Sequence, residues 1–158
     1  GNRGISKLNK SDNKGAIIDL TKAIELNPKE PLFYLYRGHA ISKSNLANKN
    51  RLTVTARNEL KEAYADFNKV IELDPNGSKG YLYRGLLNLT FQIGDKASAC
   101  RDFERVFRMS YTYNEVPEKI IRHYGIKIAP THNKNGYALT RDRQEEIMNQ
   151  YDSCSKFD

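Results

Sequence analysis

Along the first two-thirds of the chain, small and large apolar residues return at intervals of four and three. The steps run Ala16–Leu20–Ala23, then Ala63–Phe67–Val70, then Ala99–Phe103–Val106. Residues spaced in this way share one face of a helix, so each triplet predicts an amphipathic helix with one buried stripe. Ahead of each triplet lies another helical segment built around a glycine, Gly4, Gly38 or Gly85. The pattern therefore predicts three pairs of helices, each pair joined by a turn. Asn27-Pro28 and Asp74-Pro75 stop the second helix of the first two pairs, because the residue before a proline disfavours the helical region. In the third pair a tyrosine stands where the proline would be.

Whole phrases recur with the pattern. Ala23-Ile24-Glu25-Leu26-Asn27-Pro28 returns as Val70-Ile71-Glu72-Leu73-Asp74-Pro75, and Tyr34-Leu35-Tyr36-Arg37-Gly38 as Tyr81-Leu82-Tyr83-Arg84-Gly85, both 47 residues later. Arg3-Gly4 and Arg37-Gly38 set a shorter spacing of 34 residues. A glycine in the first helix and an alanine in the second let two helix axes approach closely. Leu20, Phe67 or Phe103 then fills the space beside that contact. One such unit cannot bury its apolar face alone, so neighbours must stack.

With these residues the chain resembles the tetratricopeptide repeat, whose helix–turn–helix units are about 34 residues long. The resemblance implies an all-α fold, a right-handed superhelix of about three units followed by a capping helix and a C-terminal extension. The units are expected at about 1–30, 31–77 and 78–113, the capping helix at 114–125 and the extension at 126–158. Gly4, Ala16, Leu20, Ala23 and Pro28 carry the signature in the first unit, and Gly38, Ala63, Phe67, Val70 and Pro75 in the second. Gly85, Ala99, Phe103 and Val106 carry it in the third. The first unit begins only three residues before its glycine, and the third has two extra residues near Ile93-Gly94-Asp95. The second carries about 13 extra residues around Ser44 to Ala56.

That insertion is rich in asparagine and predicts a turn or loop, with Leu52 to Leu60 extending the following helix towards its N-terminus. It reads either as a surface insertion, which costs little extra entropy, or as a protrusion that meets a partner through Lys49, Arg51 and Arg57. Beyond the repeats, Asn114 is expected to cap a helix ending at Gly125, with Val116, Ile120, Ile121 and Tyr124 on one face. Ile126 to Leu139 is expected to form a hairpin or arm around Asn135-Gly136, and Thr140 to cap a last helix running to about Asp152.

Composition narrows the classes. The 158 residues are 39% hydrophobic and 28% charged, the balance of a folded and rather polar chain. No stretch approaches the roughly 20 apolar residues that cross a bilayer, so no membrane span is expected. The chain begins Gly1-Asn2-Arg3 without an initiating methionine or an apolar leader, which reads as a processed or excised start and leaves localisation open. Residues 111–158 hold seven basic and seven acidic side chains, so the net +7 lies in residues 1–110.

Catalytic and metal-binding patterns are not evident. His39, His123 and His132 form no H-x-x-x-H pair and have no cysteine nearby, and no glycine-rich phosphate loop is present. Neither catalytic residues, a metal site nor a cofactor is expected. Cys100 reads as a small packing residue and Cys154 as a thiol in the tail; a bridge between them requires the tail to fold back.

The resemblance implies that the first helices line a concave surface receiving a peptide or partner helix. That surface is expected to present Ile5 and Leu8, then Leu35, Tyr36 and His39, then Lys79, Leu82, Tyr83 and Leu86. Tyr34 and Tyr81 are expected to pack. Repeats that clamp a chaperone's C-terminal carboxylate use lysine, asparagine and arginine at positions occupied here by Gly1, Ile5, Tyr36, Lys79 and Tyr83. Only Lys79 fits, so such a tail is not the expected ligand. The expected function is a non-catalytic protein–protein interaction scaffold. Residues 126–158 are a further candidate to fold back into the groove. The alternatives are a basic helical-repeat protein that binds nucleic acid and a module that self-assembles through an open end of the array.

Overall fold

A computed structural model describes residues 1–9, 12–109 and Cys154. The described residues form α-helices α1 (Asn2–Asn9), α2 (Asn13–Leu26), α3 (Pro31–Asn45), α4 (Val54–Leu73), α5 (Ser78–Phe91) and α6 (Lys96–Met109), with no strand among them. A short 3-10 turn, Leu46–Asn48, follows α3. The all-α expectation holds over these residues. The expected capping helix at 114–125, the hairpin or arm and the last helix lie outside the described residues.

Local chemistry sets several helix ends. Asp12 caps α2 by accepting from the Gly15 N–H at 3.0 Å, and Thr53 caps α4 by accepting from the Ala56 N–H at 3.1 Å. Asp95 does the same for α6 through the Ser98 N–H at 2.7 Å. The second helices stop at Leu26 and Leu73, immediately before Asn27-Pro28 and Asp74-Pro75. The insertion is ordered around Thr53, and α4 begins two residues after Leu52, so its 20 residues exceed the 14 of α2 and of α6.

Each helix packs on the next in the chain, and α1 also touches α3, as α3 touches α5. Gly4 lies against Leu20, Gly38 against Phe67 and Gly85 against Phe103. A Cβ at these positions would stand 2.7, 2.8 and 3.0 Å from those side chains. Ala16 and Ala63 present their carbonyl oxygens at 3.3 and 3.2 Å from the same places in the first two pairs. Close helix approach is thus bought by the missing methyl group, and the large knob fills the adjoining space.

Three apolar clusters follow one another along the array. The first gathers Leu8, Ala16, Leu20 and Ala40; the second Tyr34, Leu35, Ile41, Leu60, Ala63, Phe67, Val70, Leu87 and Phe91. The third contains Ala99, Cys100, Phe103, Val106 and Cys154. Here the cysteine expectation is corrected. Cys100 and Cys154 are joined in a disulfide with a Cα–Cα distance of 5.6 Å, and both are fully buried. Cys154 is therefore not a free thiol; the chain returns across 54 residues to α6, a juxtaposition that no local periodicity encodes. Among the described residues, no helix is long and apolar enough to cross a membrane.

Candidate functional site

The residues expected on the first-helix surface divide into three groups on α3 and α5 and a fourth on α1. Tyr36 and His39 on α3 and Tyr83 on α5 are half-buried and come together where these helices touch. The His39 and Tyr83 rings are 5.1 Å apart and inclined by 57°, and Tyr83 also meets Phe67 at 5.8 Å. Such tilted pairs suit the positive edge and negative face of aromatic rings. Burial pushes the Tyr83 hydroxyl's pKa up, with a smaller contribution from neighbouring Tyr36, so the Tyr83 phenol stays neutral and able to donate a hydrogen bond. Burial, and then the charge of Lys43, holds His39 below its ordinary 6.5 and favours the neutral ring.

A second group borders a cavity of about 270 Å³ between the start of α3, the end of α4 and the start of α5. Its lining joins Leu35 and Lys79 with Leu32 and Val70. Leu35 is only 3% exposed and belongs to the central core, so its contribution is a wall and not a projecting anchor. Lys79 is exposed at the rim. The third group, Leu82 and Leu86, is half-buried against the cluster around Phe103. On α1, Leu8 is core and Ile5 packs partly against it.

Tyr34 and Tyr81 tie consecutive pairs together. Each hydroxyl donates to a proline carbonyl six residues earlier, Tyr34 to Pro28 at 3.1 Å and Tyr81 to Pro75 at 3.4 Å. The first helix of one pair is thereby fastened to the end of the preceding pair.

Sequence reasoning missed a second repeated device. Arg37 donates from Nε and Nη2 to both oxygens of Asp66 at 2.9 and 2.6 Å, and from Nη1 to Thr21 at 3.3 Å. Arg84 repeats this with Asp102 at 2.9 and 2.5 Å and with Asn68 at 2.7 Å. In the first pair Asp19 receives Arg3 at 3.3 Å and Lys7 at 2.9 Å. Arg37 and Arg84 thus each join the aspartate of their own pair to a polar residue two places beyond the aspartate of the previous pair. The signal was present: an arginine precedes every signature glycine, and Asp19, Asp66 and Asp102 each precede the large knob. Burial pushes the Asp66 and Asp102 carboxyls up while the guanidiniums pull them down; the same bonds raise Arg37 and Arg84 and keep them charged.

Cys100, Glu104 and Cys154 bring potential ligand atoms within 4.8 Å of one another. Because the two sulfurs are bonded to each other, neither is a thiolate able to bind a metal there. No protein-family model matches the chain, and no match to it is found among curated proteins.

Proposed function

We propose that this protein is a non-catalytic interaction module whose first helices receive an extended peptide or a partner helix. On this reading the three helix pairs are tetratricopeptide units, stacked in a right-handed superhelix with α1, α3 and α5 on the concave side. The recurring glycine, alanine and knob positions support the assignment, as do the arginine brackets between successive pairs. The observation that carries the functional reading is the aromatic group of Tyr36, His39 and Tyr83 on two touching first helices. Rings that are already half-buried lose little freedom on binding, yet still offer area and, in tyrosine, a hydroxyl donor.

Nucleic-acid binding is the weaker reading, because the positive charge is partly spent inside the molecule. Arg3, Lys7, Arg37, Lys69 and Arg84 all pair with carboxylates of the same chain. A peptide library displayed on phage tests the assignment. Peptides selected on the intact chain should bind a Tyr36→Ala/Tyr83→Ala variant at least about tenfold more weakly, the loss of two interface anchors. Equal binding by a folded variant would remove the first-helix face as the docking surface.

A further inference from the structure

From Pro31 to Asn58 the chain contains no acidic residue and five basic ones, Arg37, Lys43, Lys49, Arg51 and Arg57. Arg37 is engaged by Asp66. The other four are exposed, and none takes part in an ion pair among the described residues. Glu59, the first carboxylate after this stretch, is turned to another purpose: it accepts from the Nδ2 of buried Asn45 at 2.9 Å. The N-terminal end of α4, whose first turn contains no acid, adds the positive end of a helix dipole. Among these charges stand two aliphatic side chains left in solvent, Leu46 at 50% and Val54 at 78% exposure.

The connection that carries them is held in place. The Asn45 side chain also donates to the Ile41 carbonyl at 3.0 Å, and the Arg51 N–H donates to the Asn48 carbonyl at 2.9 Å. Leu52 packs against the central cluster, and Thr53 caps α4. Anchored at both ends, the connection presents cations and aliphatic groups together at the tip of the α3–α4 hairpin, with little ordering left to be done on binding.

We propose that this connection is a second interaction surface and that its partner is an acidic protein segment with aliphatic side chains between its carboxylates. Charge complementarity selects the acid, and exposed Leu46 and Val54 match the aliphatic component. The residues from Lys43 to Asn58 include no aromatic ring on which a base would stack, which disfavours a nucleic-acid strand. Two isolated aliphatic side chains also fall short of the broad apolar face that seats a helix in a lipid interface.

Fluorescence anisotropy with a labelled acidic peptide carrying leucine at every third position tests the proposal on the whole chain. The peptide should bind, with an affinity that falls steeply as salt rises. A Lys49→Glu/Arg51→Glu/Arg57→Glu variant should weaken it by about tenfold or more, and Leu46→Ser/Val54→Ser by about threefold. The Tyr36→Ala/Tyr83→Ala variant should bind as the intact chain does, which separates this surface from the first-helix face. Absence of binding would overturn the proposal, as would undiminished binding by a charge-reversed variant with native helix content. Preference for polyuridine RNA or phosphatidylserine vesicles over the peptide would transfer the surface to that partner class.

Discussion

Asp66 shows how much of this array rests on single polar contacts. Its side chain is 4% exposed and accepts two bonds from Arg37, which is itself 22% exposed. Replacing Asp66 by alanine leaves a guanidinium half-enclosed without its partner, and should cost about 3 kcal/mol in denaturant unfolding. The double replacement Arg37→Met/Asp66→Leu should recover most of that loss, since removing both charges removes the desolvation penalty with them. A double variant no more stable than Asp66→Ala would refute this account of the bracket. Gly38 is equally exacting. A methyl group there would press on Phe67 and the Ala63 carbonyl, so Gly38→Ala should destabilise by about 1–3 kcal/mol, visible as a lower Tm. His39 adds a pH dependence. Its pKa is depressed in the folded chain, so its contribution is complete above 6.5 and is lost as pH falls through the folded-state value. Lys43 and Tyr83 face it from α3 and α5, and neither compensates the charge that protonation adds. Urea midpoints should therefore fall on acidification from neutrality, and His39→Gln should flatten that part of the profile.

At the scale of elements, α6 depends on a partner that is distant in the chain. Its apolar side is completed by Cys154, held through the bond to Cys100. Closing a loop of this length restricts the unfolded ensemble, so reduction, or Cys100→Ser/Cys154→Ser, should lower stability by about 2–5 kcal/mol. Calorimetry with and without a thiol reductant reads this directly, and the double-serine variant should be indifferent to the reductant. The α3–α4 hairpin illustrates the opposite case, in which local bonds suffice. Thr53 starts α4, Asn45 links the end of α3 to Glu59, and Leu52 secures the segment between them. A long insertion is accommodated here without disturbing the Gly38–Phe67 contact.

Across the whole molecule, the central cluster is the common ground of the pairs. Phe67 shares it with residues of α3 and α5, and Ile17 and Ile24 of α2 pack against it. Phe67→Ala should cost about 3–5 kcal/mol and should speed amide exchange in α2, α3 and α5 as well as in α4. Exchange accelerated in α4 alone would mean that the pairs open independently. Helices, turns and packing partners were legible along the chain because each depends on neighbours within one turn or on a repeated offset. Gly38 with Phe67 recurs as Gly85 with Phe103, and the prolines mark the same helix ends twice. The first-helix surface was legible only in outline. Leu35 and Tyr36 are adjacent in a helix, yet one is a core wall and the other part of an aromatic patch. Periodicity gives the direction of a side chain from its own helix but not what stands opposite. For the same reason the brackets at Asp66 and Asp102, and the meeting of Cys100 with Cys154, emerged only from packing: bonds between distant residues depend on where two backbones finally lie. Order along each helix is a property of short-range spacing, whereas accessibility, ion pairing and cross-linking belong to the assembled array.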